Sequence, residues 1–254
     1  MDRTGRVNPT LAAIAVLGFL VACVAHEVVG HGGMCLALGR HVDLLSSVYF
    51  SSSPGGPLIA AAGPLTNLAV GLLCWGFLWW CPPQSGHWRL CLAFALAFNL
   101  FWGAGYFVFS AVTNRGDWVF VLRDLALQPR WLWRGLMGAL GVFLYHRSMR
   151  IVSVYLPAGT PLVVPYLASG LVSCVAALFF VGPVLPAIRE AAQESFGAGI
   201  GLLLLAYYRH TRQVGRHSPA VVVPCSNGWV VAAVVATTAF IVTLGHGIVF
   251  GSPA

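Results

Sequence analysis

Two histidines and one glutamate lie together near the end of the first long apolar segment of this 254-residue chain. They are His26, Glu27 and His31, and residues 11–25 before them carry no charge. Ionisable side chains are costly within a hydrophobic segment, so they mark a functional site by default. Imidazole nitrogens and carboxylate oxygens are also common metal ligands. The types and proximity of these residues therefore predict a buried metal site.

The spacing differs by one residue from the HExxH motif, in which two histidines four positions apart on a helix bind zinc. His26 and His31 are five positions apart, which leaves them roughly 140° apart around an ideal α-helix. A π-helical turn, with hydrogen bonds between residues five apart, brings such positions back towards one face. Because Gly30 directly precedes the second histidine, we expect a local departure from α geometry here. The alternative is a pair of polar residues that stabilise helix packing or line a proton path.

A longer pattern extends over about residues 11 to 125. The histidine segment comes first, and residues 42–50 then predict one or two short strands because they are rich in β-branched and aromatic residues. A strand at membrane depth must be buried or line a cavity, so its edge is a candidate for pairing with an extended substrate. Residues 62–68 follow, with the sequence AGPLTNL. This order resembles the site-2 protease family of intramembrane zinc metalloproteases, which has an AGPLxN motif. The HExxGH spacing alone also resembles the zinc hexapeptide of the dipeptidyl-peptidase III family.

The resemblance implies a third metal ligand, an Asp from a later helix, and Asp117 is the candidate. It lies in residues 114–118, with the sequence NRGDW, where the family commonly has Asp followed by Gly. The alternative for this segment is a solvated turn. Asn67 either supports the site or substrate, as the resemblance implies, or joins two helices. Asn99 and His246 are assigned to helix packing.

The chemistry implied by the resemblance is zinc-dependent hydrolysis of a peptide bond. His26, His31 and Asp117 would bind Zn²⁺ and leave a fourth position for water, as in catalytic zinc sites. Glu27 would be the catalytic residue that takes a proton from this water. The expected partner is a transmembrane protein or peptide substrate. Alternatives are a proteolytically inactive scaffold or sensor of the same family, and a small proton or metal-ion transporter.

The composition predicts an integral membrane protein. Hydrophobic residues make up 58% of the chain and charged residues 8%, with a mean hydropathy of +0.82, whereas soluble domains have about 25% charged residues. The net charge of +7 comes from arginines, most of which lie near the connections, as expected for membrane interfaces. They do not indicate a nucleic-acid surface. We expect a multi-pass protein in the lipid bilayer, with the bacterial inner membrane as its location.

The expected fold is an all-α polytopic membrane protein with six to seven transmembrane helices and a short strand or hairpin after the first. Residues 1–125 form the metalloprotease-like membrane core with three helices, and residues 126–254 add further helices to the same membrane domain. Pro82-Pro83 is expected to end the second helix. The predicted apolar segments are residues 11–38, 58–81, 90–112, 131–144, 162–188, 197–208 and 228–250. Residues 197–208 are short for a span, and the alternatives for them are a tilted helix, a re-entrant segment or a helix joined to neighbouring residues.

Overall fold

The structure, a computed structural model, describes residues 8–80, 86–211 and 223–251. Most of these residues are helical, and a small sheet lies beside the helices, so the predicted helical fold with a hairpin after the first helix is confirmed. Pro82-Pro83 lies outside the described residues. The elements in chain order are α1 (Pro9–Val24), a π-helical segment (Ala25–Gly32), α2 (Gly33–Ala37), β1 (His41–Leu45), β2 (Phe50–Ser53), α3 (Pro57–Trp80), α4 (Gly86–Thr113), α5 (Asp117–Asp124), α6 (Arg130–Tyr155), α7 (Val163–Ala177), α8 (Val184–Thr211), α9 (Asn227–Phe240), a second π-helical segment (Ile241–Gly245) and β3 (Ile248–Val249).

The first helix is continuous from α1 to α2 but changes its winding in the middle. Asn8 Oδ1 accepts hydrogen bonds from the backbone nitrogens of Thr10 at 2.9 Å and Leu11 at 3.3 Å, which caps the helix start. The winding switches from α to π for eight residues and then returns to α. The predicted departure from α geometry around Gly30 is therefore present, and it is longer than a single bulge.

Helix α4 is the centre of the molecule, because α1, α3, α6 and α8 all pack against it. Its phenylalanines Phe94, Phe98 and Phe101 are fully buried. Glycine allows α3 to approach closely, since a Cβ on Gly103 would lie 2.9 Å from the carbonyl oxygen of Pro64. This packing fixes the two helices that surround the histidine segment.

Four helices of the described part of the chain are long and apolar enough to cross a membrane: Pro9–Ala37, Pro57–Trp80, Gly86–Thr113 and Asn227–Gly245. Large apolar side chains are exposed on the outside of two of them, including Trp79 and Trp80 on α3 and Val234 and Val235 on α9. Apolar surface of this extent marks contact with a membrane or another protein. A multi-pass membrane protein fits these helices.

The second half differs from the sequence-based expectation. The predicted segment 162–188 is wrong as one helix, because α7 ends at Ala177 and α8 begins at Val184. Pro183 separates them, since proline disfavours helical geometry in the preceding residue and cannot donate its nitrogen. Residues 197–208 are the second half of α8, so of the alternatives for this segment the structure has the one in which it is joined to neighbouring residues. Helix α6 continues to Tyr155, well past the predicted end at residue 144.

The sheet has three antiparallel strands in the order β2-β1-β3. Leu45 pairs with Phe50 in the predicted hairpin, and Leu44 pairs with Val249 of the C-terminal strand. The predicted last helix, which extends to residue 250, is wrong at its end, because Ile248 and Val249 form β3. Two apolar residues after a helix carry no strand pattern of their own. Strand β2 lies at the edge of the sheet beside the histidine segment.

Candidate metal centre

The π-helical segment brings His26 and His31 to one side of the first helix. Their ring centroids are 4.8 Å apart with an interplanar angle of 83°. His26, Glu27 and His31 are all buried, with exposed fractions of 1%, 3% and 4%. One potential ligand atom from each lies within 4.8 Å of the other two. This cluster could hold a metal ion.

Glycines on two elements create the space around the histidines. A Cβ on Gly30 would lie 2.7 Å from Cα of Gly63, so the π-helical segment and α3 can cross here only because both residues lack side chains. A Cβ on Gly63 would lie 2.5 Å from Nε2 of His31 and 2.7 Å from Nε2 of His26. Gly63 therefore keeps open the space in front of both ring nitrogens.

Asp117 completes the group from the start of α5. Its Oδ2 lies 3.2 Å from Nε2 of His26 and 3.4 Å from Nε2 of His31. Gly116 directly before it has φ 82° and ψ −177°, a conformation essentially confined to glycine. Trp118 directly after it stacks on Phe107 of α4, with ring centroids 4.2 Å apart. Residues 114–118 can therefore form a turn, as their sequence predicts, and still place the Asp117 carboxylate beside the two histidines.

The histidines also determine the charge state of Asp117. Burial alone would raise the pKa of this carboxyl group, but without a metal the charge of protonated His31 and hydrogen bonds donated from Nε2 of both imidazoles hold the pKa below its ordinary value. Asp117 is therefore a carboxylate, which is the form that binds a metal.

The hydrogen bonds of Asn67 determine which nitrogen of His26 is free. Asn67 Nδ2 donates to the carbonyl oxygen of Ala22 at 2.9 Å and to Oδ1 of Asn99 at 3.0 Å. Asn67 Oδ1 therefore faces His26 Nδ1, at 2.7 Å. Because an amide oxygen only accepts, His26 donates from Nδ1 and a neutral ring keeps its lone pair on Nε2. Asn67 thus orients His26 and also joins three helices.

His31 is held in the same tautomer by the backbone. Its Nδ1 lies 2.7 Å from the carbonyl oxygen of Ile59, in the first part of α3. A carbonyl oxygen cannot donate, so Nδ1 carries the proton and the Nε2 lone pair is free when the ring is neutral. Metal-binding histidines usually donate their second nitrogen to a carbonyl or carboxylate in this way.

When both imidazoles are neutral, three acceptor atoms face one another at short distance. They are Nε2 of His26, Nε2 of His31 and Oδ2 of Asp117. Lone pairs this close and this buried repel one another unless a proton or a cation lies among them. Two imidazole nitrogens and one carboxylate oxygen form a suitable donor set for a divalent metal ion.

Helix α4 contributes side chains that the sequence analysis did not assign to the site. Asn99 accepts the hydrogen bond from Asn67, Trp102 stacks on His26 with ring centroids 5.2 Å apart, and the Tyr106 ring lies 5.3 Å from His26. The spacing of three and then four residues places them on one helix face. That periodicity of polar and aromatic residues was a usable signal. His246, in contrast, contacts the carbonyl oxygen of Phe179, as expected for packing.

A cavity of about 710 Å³ connects the cluster to the surface of the protein. His26, Glu27, His31 and Asp117 line its inner end, and Phe50, Ser51 and Ser52 of β2 line one side. The Phe50 ring stacks on His31, with centroids 5.3 Å apart. Glu190 and Glu194 of α8 also face this cavity, and nothing in the sequence pattern indicated that α8 reaches the site.

The structure brings together the residues that the sequence analysis selected. His26, His31 and Asp117 converge, Glu27 lies beside them in the cavity, and Asn67 lies behind His26. Comparisons of the chain with models of protein families, with curated proteins and with solved structures found no match.

Proposed function

We propose that this protein is an integral membrane zinc metalloendopeptidase of the site-2 protease type, which hydrolyses a peptide bond of a membrane-embedded substrate. The observation that carries the proposal is the convergence of His26 Nε2, His31 Nε2 and Asp117 Oδ2 beside Glu27 in one cavity. The resemblance in the sequence, in which the same residues are the expected ligands and catalytic group, supports it independently.

The distances support zinc as the metal. Zinc–ligand bonds of about 2.0–2.2 Å place neighbouring ligand atoms of a tetrahedral site about 3.3–3.6 Å apart. Asp117 Oδ2 lies 3.2 Å and 3.4 Å from the two imidazole nitrogens, close to this spacing. A carboxylate oxygen of Glu27 also lies within 4.8 Å of a ring nitrogen of each histidine. The sequence resemblance assigns the third ligand to Asp117 and leaves Glu27 for proton transfer.

Different groups of the site would have different roles in hydrolysis. Bound zinc would supply a water of lowered pKa and polarise the peptide carbonyl. The Glu27 carboxylate would accept a proton from this water and later return it to the nitrogen of the leaving amine. Trp102 and Phe50 stack on the rings of His26 and His31 and would hold these rings in place.

Six membrane spans agree with the element lengths. Helices α6 and α8 have 26 and 28 residues, about 39 Å and 42 Å at 1.5 Å per residue, which exceeds the hydrocarbon thickness. The polar residues of α8 include Glu190 and Glu194, which face the metal cavity rather than the outside. With the four more apolar helices, α6 and α8 give six spans, the lower of the two numbers predicted. The bacterial inner membrane is the proposed location.

The substrate would bind beside β2. This edge strand lines the cavity next to His31, and β1 covers only one of its two edges. An extended peptide can add to a free strand edge through backbone hydrogen bonds. A transmembrane segment must unwind locally to do so, which would expose its carbonyl groups to the metal centre.

The test compares purified wild-type protein with Glu27→Gln in proteoliposomes that contain membrane-spanning test peptides. We expect Glu27→Gln to keep the fold and most of the zinc, and to lose at least about a hundredfold in hydrolysis, the scale usual for an acid–base group. Equal hydrolysis by both proteins would contradict the mechanism. A zinc-loaded wild type that cleaves no peptide would favour the scaffold, and zinc or proton flux across the vesicle membrane would favour the transporter.

A further inference from the structure

A second, apolar cavity of about 550 Å³ lies between α4, α6 and α8. It forms because α6 and α8 both pack against α4 but make few contacts with each other. This volume is within the range of about 300–1,000 Å³ typical of ligand pockets. Large apolar side chains dominate its wall, including Phe101, Phe109, Val142, Met149, Ile200 and Leu204.

This apolar cavity adjoins the metal cavity. Tyr106 and Glu194 line both spaces. The Tyr106 ring in turn lies 5.3 Å from the ring of His26. The Tyr106 side chain therefore lies between a group bound at the metal centre and the apolar cavity.

We propose that this apolar cavity is a specificity pocket for a large apolar side chain next to the scissile bond. The proposal rests on the proposed function and names its substrate class: membrane-spanning peptides with a residue such as Leu, Met or Phe at that position. Burying such a side chain contributes about 1.5–3 kcal/mol, and the pocket would thereby hold the neighbouring carbonyl group at the metal centre.

The lining of the apolar cavity favours a peptide over a phospholipid as the occupant. Glu194 lines both cavities, and Glu190 lies one helical turn away on the wall of the metal cavity. Among the described residues no arginine lines the apolar cavity, so a phosphate headgroup would meet no permanently charged partner there. A neutral peptide backbone with an apolar side chain needs no such partner.

Gly197 offers a way to fill the pocket without disturbing the helices. It lines the pocket on α8, and a Cβ built there meets no atom within 4 Å. Gly197→Leu therefore adds volume to the pocket rather than a clash with the backbone. Gly135→Leu is the matched control, because Gly135 on α6 has equally open surroundings and does not line this pocket.

The first experiment measures binding and does not depend on catalysis. The probe is a membrane-spanning peptide with one p-benzoylphenylalanine, moved through the sequence and photo-crosslinked to the protein in nanodiscs. We expect one position to label the pocket wall, including Met149, with labelling reduced at least about tenfold by Gly197→Leu and unchanged by Gly135→Leu. Labelling confined to other surfaces, or undiminished in Gly197→Leu, would overturn the proposal.

The second experiment measures cleavage of peptides with Ala, Leu or Phe at the labelled position. The wild type should prefer Leu and Phe over Ala by about tenfold or more. Gly197→Leu should lose this preference, whereas Gly135→Leu should keep it and cleave all three peptides as the wild type does. Cleavage without preference would overturn the pocket but not the hydrolase. Labelling without cleavage would contradict the hydrolase but not the pocket. A photoactivatable phospholipid that labels Met149 and is not displaced by the peptide would assign the cavity to lipid.

Discussion

Gly30 of the π-helical segment and Gly63 of α3 are in backbone contact, so that a Cβ on Gly30 would lie 2.7 Å from Cα of Gly63. The carbonyl oxygen of Ala62 would be almost as near, at 2.8 Å. This contact sets the separation between the helix that carries both histidines and the helix that carries Asn67. The geometry of the metal centre therefore depends on two residues that have no side chain.

The first prediction concerns Gly30→Ala. The added methyl group must push α3 away from the π-helical segment, since backbone atoms cannot move aside as a flexible side chain can. We expect the hydrogen bond between Asn67 and His26 to weaken and zinc affinity to fall at least about tenfold. Gly33→Ala is the control, because a Cβ there is 3.9 Å from its nearest atom. Equal zinc titrations of the two variants would contradict this role of the contact.

The second prediction concerns Gly63→Ala. A methyl group 2.5 Å and 2.7 Å from the two Nε2 atoms would occupy the space in which zinc must lie, at about 2.0–2.1 Å from each. Alanine favours a helix more than glycine does, by about 1 kcal/mol, so the variant should insert normally and yet lose its zinc. Elemental analysis checks the loss of zinc, and a thermal melt checks that the variant folds normally. Full zinc occupancy in Gly63→Ala would show that the metal does not lie in the space in front of these two Nε2 atoms.

The third prediction concerns Gly116→Ala, in the turn before Asp117. The φ of 82° is unfavourable for alanine, and a Cβ would lie 3.0 Å from the Tyr106 ring. The strain, of order 1–3 kcal/mol, should be relieved by a shift of Asp117 and should appear as weaker zinc binding. Gly39→Ala is the control, because Gly39 also has positive φ but meets no atom within 4 Å. If both variants lose stability alike and bind zinc alike, Gly116 does not position Asp117.

The fourth prediction concerns the support of His26. Asn67→Leu removes the acceptor for His26 Nδ1, and loss of such a partner typically costs about 10–100-fold in metal affinity. Asn67→Asp keeps an oxygen as the acceptor for His26 Nδ1, although it loses the donor to Ala22 and Asn99 as Asn67→Leu does, and it should retain more affinity than Asn67→Leu. Competition with a zinc chelator of known affinity gives the order of the variants. The opposite order would show that Asn67 serves helix packing alone.

The residue types at the site could be predicted from the sequence because each is unusual in its surroundings. Two imidazoles and a carboxylate in an otherwise uncharged helix indicated a functional site. The spacing of five residues between the histidines, with a glycine before the second one, indicated π-helical geometry. The Asn-Arg-Gly-Asp turn could be related to the histidines only through the family resemblance. The distance between this turn and the histidines depends on tertiary packing, which no local pattern in the sequence specifies.

Other parts could not be predicted for identifiable reasons. Glu190 and Glu194 lie 73 or more residues beyond Asp117, and only the packing of α8 on α4 brings them to the cavity. The continuity of α8 was only one of the alternatives for residues 197–208, because its polar first half and apolar second half look like different segments. Trp118 stands where the family commonly has glycine, and its stacking on Phe107 was visible only in three dimensions.

The most direct test of the central claim is the zinc content of the purified protein and its ligand variants. His26, His31 and Asp117 supply three ligands, so the wild type should hold about one zinc per chain. The His26→Ala, His31→Ala double variant should hold none, Asp117→Asn should bind more weakly, and Glu27→Gln should remain loaded. A wild type that stays free of zinc when zinc is supplied, or a double variant with unchanged zinc content, would contradict the metal centre.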